Sequence, residues 1–150
     1  MKRTIWWDMD GTIADLYGVE NWLDMLRAYD ATPYAKAKVL HNMSLLARYM
    51  NQVQAKGYKI GIISWLSKCS TDEYDAQVVI AKLEWLNIHL ASVQFDSIHI
   101  VPYGTPKQSF MATKNDILFD DEDKNREAWE GEAFTPDQIL DVLKALVRED

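Results

Sequence analysis

The segment that most constrains this chain is Ile5-Trp6-Trp7-Asp8-Met9-Asp10-Gly11-Thr12. Its three bulky apolar residues read as a buried strand, and two carboxylates then follow with one residue between them. Side chains two apart in an extended chain point to the same side. Asp8 and Asp10 should therefore face one spot just beyond the strand, where Gly11 lets the backbone turn. Acids at such a place are costly unless something cationic or catalytic sits between them. The same residues also suit a plain strand running into an Asp-Gly turn, so the later segments decide.

Helical spacing of Trp22, Leu23, Met25, Leu26 and Tyr29 predicts a helix that breaks at Asp30-Ala31-Thr32-Pro33. Residues 34–40 are ambiguous, with helix the better reading. Residues 44–55 form a firmer helix, apolar at Leu45, Leu46, Tyr49, Met50 and Val53, and Gly57 is placed to cap it. Residues 58–63 read as a second strand ending at Ser64-Trp65, and residues 67–75 as a polar loop. A helix over 76–86 follows, apolar at Val79, Ile80, Leu83 and Leu86. Strands are predicted at 97–101 and 117–119, the second running into Asp120-Asp121. Thr105-Pro106-Lys107-Gln108 has the chemistry of a helix start, with Thr as cap and Gln completing a capping box. Residues 124–130 read as a short helix closed by Gly131, and Ala133-Phe134 as a small strand. Thr135-Pro136-Asp137-Gln138 repeats the helix-start signal ahead of an apolar stripe from Ile139 to Val147.

Strands alternating with helices specify an α/β fold with a mainly parallel sheet covered on both faces. The 150 residues carry no repeat, linker or low-complexity run, so 1–150 reads as a single domain. A formal charge of −7 disfavours a nucleic-acid binder but not a small phosphorylated substrate held by one or two cations. The lone Cys69 cannot form an internal disulfide, which fits a reducing cytosol and a cytoplasmic protein. No apolar run approaches a membrane span, and Met1-Lys2-Arg3 leads into only a short apolar strand, unlike a signal peptide.

Chemistry in parallel α/β sheets gathers beyond the carboxyl ends of the strands, at the topological switch point. Three predicted strand ends carry residues suited to it: Asp8 and Asp10, Ser64, and Asp120 and Asp121. Such a concentration of acids calls for a hard divalent cation, and Mg²⁺ prefers carboxylate and water oxygens. Glu122 and Asp123 fit better as acids favoured at the start of the next helix. Lys107 falls in a first helical turn, where the dipole would prefer an acid; an anion bound there would meet the helix amides and the ammonium together. Ser64 adds a small hydroxyl and nearby amides at a strand end. Together these parts suit phosphoryl transfer through a carboxylate nucleophile. His41, His89 and His99 share no metal-ligand spacing, and no glycine-rich phosphate loop is present.

Asp8-Met9-Asp10-Gly11-Thr12, Ser64, Lys107 and Asp120-Asp121 resemble, in order, the four motifs of the haloacid dehalogenase superfamily. That resemblance implies a Rossmann-like three-layer sandwich and Mg²⁺-dependent hydrolysis of a phosphate monoester. It implies Asp8 as nucleophile and metal ligand, and Asp10 as general acid/base with its backbone carbonyl on the metal. Ser64, with Trp65 beside it, and Lys107 would bind phosphate; Asp120 would ligate Mg²⁺ with Asp121 in support. Dehalogenating members lack the second acid, so the resemblance favours a phosphatase.

Only residues 19–40 remain for a cap, inserted after the first strand. A cap this small implies a large substrate reaching an open site, or a small one closed off by a partner subunit such as a second copy. Asp8 through Asp15, Lys82-Leu83-Glu84-Trp85-Leu86 and Trp129-Glu130-Gly131-Glu132-Ala133-Phe134 resemble the cytosolic 5'(3')-deoxyribonucleotidase branch. The short cap departs from that branch. Tyr17, Trp22, Tyr29, Tyr34 and Trp65 are the aromatic residues suited to stacking on a base, or equally to packing a small cap on the core. Polynucleotide or phosphoprotein ends, or phospholigand binding without turnover, are the alternatives to a nucleoside monophosphate.

Overall fold

A computed structural model describes residues 2–149; Met1 and Asp150 lie outside the described residues. In chain order the elements are β1 (Thr4–Trp7), β2 (Ala14–Asp15), α1 (Trp22–Arg27), α2 (Thr32–Lys36), β3 (Lys38–Val39), α3 (Met43–Ala55) and β4 (Lys59–Trp65). Then come α4 (Asp72–His89), β5 (Ser97–Val101), β6 (Ile117–Phe119), α5 (Asp123–Ala128), β7 (Glu132–Phe134) and α6 (Ile139–Arg148). Five strands form one sheet in the order β5-β4-β1-β6-β7, and every pairing in it is parallel. The fold is the expected Rossmann-like α/β arrangement.

Alternation along β1 explains the layers. Ile5 and Trp7 face a core built with Ile60, Ile62, Ile117 and Phe119 of the sheet, Leu46, Met50 and Val53 of α3, and Ile139, Leu143 and Leu146 of α6. Trp85 and Leu86 of α4 join that cluster. Trp6 and Leu118 face the other way and meet Trp129, with Phe110 and Met111 packed alongside. This second layer is thinner, made of a 3-10 turn (Lys107–Phe110), α5 and the residues around them. Gly61 stands opposite Trp6 in the register, and a Cβ there would land in the indole ring.

Several elements differ from their predicted form. The 34–40 stretch is helical only to Lys36; Lys38 and Val39 then pair antiparallel with Asp15 and Ala14. α4 begins at Asp72, inside the predicted loop, because the Thr71 side chain accepts from the Tyr74 amide and Asp72, Glu73 and Asp75 fill the first turn. Its buried face is Tyr74, Val78, Ala81, Lys82, Trp85 and Leu86, while Ile80 and Leu83 of the predicted stripe are exposed. The Thr105 capping box does not form: its hydroxyl donates to the Pro102 carbonyl, and Lys107 lies in a four-residue 3-10 turn. Gly131 does not cap α5 through a left-handed turn; it lets the chain pass close to the Asp116 carbonyl, which a Cβ would strike. The capping box at Thr135 and Gln138 forms as predicted, and Gly57 takes the left-handed conformation that closes α3.

Residues 16–36 are fastened down. Leu16, Leu26 and Tyr34 share a cluster with Leu66 and with Tyr74, Val78 and Ala81 of α4. No helix among the described residues is long and apolar enough to cross a membrane.

Candidate active site

The chain leaves β1 toward β4 on one side and leaves β6 toward β7 on the other. The crevice between the carboxyl ends of β1 and β6 is therefore the topological switch point. The Asp8 amide donates to the Phe119 carbonyl at 2.9 Å, which sets Asp8 beside Asp120. Past Asp8 the chain folds back, with the amides of Thr12, Ile13 and Ala14 converging on the Met9 carbonyl. Gly11 has φ +80 in this turn, and a side chain there would strike the Asp121 carboxylate.

Asp8 is buried and held at both oxygens. Lys107 donates to Oδ1 at 2.8 Å and Thr12 Oγ1 donates to Oδ2 at 2.9 Å. Lys107 also donates to Asp120 Oδ2 at 2.7 Å, and Asn125 donates to the same oxygen at 3.1 Å. Asp8, Asp120 and Asp121 each bring a carboxylate oxygen within 4.8 Å of the others. Burial and the Asp8 charge push the Asp120 and Asp121 carboxyls well above the ordinary carboxylate range. Burial would depress the Lys107 ammonium, but Asp8 and Asp120 overcome it and hold the group charged. With two of its three N–H donors engaged, Lys107 keeps one for an incoming anion.

Asp10 faces the same cavity on a different cation. Lys82 Nζ donates to Asp10 Oδ2 at 3.0 Å, to Ser64 Oγ at 2.6 Å and to the Trp65 carbonyl at 2.6 Å. Burial, opposed by Lys82 and reinforced by Asp8, raises the Asp10 carboxyl. Lys82 pairs with Asp10 and Lys107 with Asp8 and Asp120, while Asp8, Asp120 and Asp121 converge on one spot, where a divalent cation would favour the ionised forms that burial resists. The donor set is all hard oxygen, without thiolate or imidazole, and so fits Mg²⁺.

A cavity of about 600 Å³ opens over these groups. Asp8, Asp10, Lys107, Asp120, Asp121 and Trp65 line it. Ser64 does not: it is fully buried beneath Lys82. The Trp65 indole N–H is engaged by the Thr105 carbonyl at 2.9 Å, and Lys107 Nζ lies 5.3 Å from the centre of its ring. Tyr17, Trp22 and Tyr34 also border the cavity, whereas Tyr29 is half exposed and stacks edge-on against Tyr74 elsewhere.

Ser67, Tyr103 and Asn125 line the cavity without having been singled out in the sequence. Lys82 is the more informative omission. It stands on the buried face of α4, four residues after Val78 and three before Trp85, where an unpaired lysine would be prohibitive. That position was the available signal. The apolar Ile80 and Leu83 on the exposed side of α4 mask it in the sequence.

No family model matches the chain, and no curated protein matches it. Among solved structures it resembles a D,D-heptose 1,7-bisphosphate phosphatase from Burkholderia thailandensis, with a TM-score of 0.62 and 11% identity over 99% of this chain and 100% of that one. The likeness is one of fold.

Proposed function

We propose that this chain is a Mg²⁺-dependent phosphatase of the haloacid dehalogenase type, hydrolysing a phosphate monoester through an aspartyl-phosphate. The observation that carries the reading is Asp8, fixed between Lys107 and Thr12 at the floor of the cavity with Asp120 and Asp121 beside it. Asp8, Asp120 and Asp121, with the Asp10 backbone carbonyl, would hold the metal. Mg²⁺ would neutralise phosphoryl oxygens and lessen their repulsion of the nucleophile.

The remaining steps belong to this chain's residues. An Asp8 oxygen bonds to phosphorus as the bond from phosphorus to the leaving oxygen breaks. Asp10, which borders the cavity with one oxygen held by Lys82, gives the leaving oxygen its proton. The free donor of Lys107 binds a phosphoryl oxygen. In the second half Asp10 takes a proton from water as the water attacks phosphorus. The bond to Asp8 breaks, and inorganic phosphate is released.

Nucleoside monophosphates are the proposed substrates. Tyr17, Trp22, Tyr34, Trp65 and Tyr103 border the cavity, and aromatic side chains in such a place suit stacking on a planar base. The structural neighbour is named for a sugar bisphosphate, so the test sets the two classes side by side. Phosphate release is measured from nucleoside monophosphates, sugar phosphates, a 5'-phosphorylated oligonucleotide and a phosphopeptide, with Mg²⁺ and with chelator. Release that needs Mg²⁺ and falls at least about 10³-fold in Asp8→Asn is the expected result. Activity indifferent to both chelator and Asp8→Asn overturns the reading. Preference for sugar phosphates removes only the nucleotide assignment.

A further inference from the structure

We infer that Lys82 is a positioning residue that aims the Asp10 carboxyl at the leaving group, a role that rests on the phosphatase reading above. Lys82 is 1% exposed and does not line the cavity. An ammonium has three N–H donors. In Lys82 all three have acceptors: Asp10 Oδ2, Ser64 Oγ and the Trp65 carbonyl. No donor remains for a substrate oxygen, so Lys82 is not a second phosphate-binding cation. Lys107 differs on both points, since it lines the cavity and keeps a donor.

Two of the three acceptors are on β4, which anchors Nζ to the sheet. The Tyr34 ring, 5.0 Å from Nζ, covers it from the side of α2. The third acceptor is the side chain of Asp10, on the turn after β1. Lys82 thus ties the mobile end of a catalytic side chain to a neighbouring strand. Among the described residues no hydrogen bond reaches Asp10 Oδ1, while Asp10 itself lines the cavity. One oxygen is clamped and the other is left for proton transfer. General acid catalysis depends on that placement, because the acid must lie within hydrogen-bond reach of the departing oxygen.

The role makes a demand on substrate chemistry that simple structural support does not. An alkyl phosphate leaves as a strongly basic alkoxide and needs Asp10's proton. 4-Nitrophenyl phosphate leaves as a stable phenolate and does not. We compare kcat/KM, which reports transfer to Asp8, for glycerol 2-phosphate and 4-nitrophenyl phosphate in native protein and Lys82→Met, both with Mg²⁺. The expected result is a loss of about 100-fold or more on the alkyl ester and under about tenfold on the aryl ester. Equal losses on the two esters overturn the proposal and leave the phosphatase reading intact. If the native protein turns over neither ester, the alkyl arm is read on the best monoester of the panel above, where a loss in Lys82→Met under about tenfold overturns the proposal; no turnover of any monoester overturns both readings.

Lys82→Met leaves Asp10 unpaired in a buried place, so a second variant guards against simple misfolding. Asp10→Asn/Lys82→Met removes both charges together. Because Lys82 acts through Asp10, the double variant should lie within about threefold of Asp10→Asn alone on the alkyl ester. A further loss of tenfold or more overturns the proposal.

Discussion

Asp116 carries no chemistry, yet it organises the side of the sheet behind the site. Its carboxylate accepts from the Thr4 amide and the Trp6 indole, both at 3.0 Å, and from the Ala112 amide and the Thr113 hydroxyl, both at 2.7 Å. Its carbonyl accepts from Trp129 Nε1 at 2.8 Å. Burial by itself would raise this carboxyl, but the bonds from Thr113, Trp6, Thr4 and Ala112 hold it below the ordinary range. The sign follows directly. A depressed pKa contributes stability that is complete above the unfolded-state value, about 4, and is lost as pH falls through the folded value. Asp116→Ala should cost about 2–4 kcal/mol in urea denaturation at neutral pH, with donors to a charged group left unpaired. It should also flatten the loss of stability below about pH 4.

At the scale of elements, what could be read from the sequence divides by how local the cause was. The strands at β1, β4, β5 and β6 and the capping box before α6 follow from short runs of apolar residues and neighbouring caps, and all were legible. Asp8 and Asp120 were legible because each directly follows such a run. The short pairing of Lys38–Val39 with Ala14–Asp15 was not, since two residues of strand exist only because a distant segment lies alongside. The orientation of α4 was hidden for a different reason: apolar residues occur on both of its sides, and only tertiary packing chooses. That choice can be tested at two leucines three residues apart. Leu86 is 4% exposed and Leu83 is 41% exposed. Leu86→Ala should lower stability by about 2–5 kcal/mol, and Leu83→Ala by no more than about 0.5. Similar losses at both positions, read by thermal and urea unfolding, would mean the helix is rotated from the orientation described.

The molecule as a whole couples its acids to its stability. Burial and mutual repulsion raise Asp120 and Asp121, so in the folded chain without a cation their ionisation is resisted. For acids raised in this way the penalty grows as pH climbs from the ordinary carboxylate range through the folded values. A cation that binds the ionised form offsets that penalty. Millimolar Mg²⁺ should therefore raise the melting temperature, and by more at pH 8 than at pH 5; an increment independent of pH would contradict this coupling. The site's logic at this scale, carboxylates at strand ends meeting where the strand order reverses, was legible from the order of the elements. Lys82 was not, because its meaning depends on which strand end its helix crosses.

The central place of β1 also bears on how the chain reaches this form. Thr4 pairs with Lys59, and Ile5 with Ile117. The strand that leads into Asp8 is therefore synthesised well before either of its neighbours. Until both arrive, Trp6 and Trp7 have no sheet to complete, and closing such wide loops precedes the contacts that reward it. Folding should be slow for the chain's size, and the β1 segment, made before its partners, is where a chaperone would find exposed tryptophan.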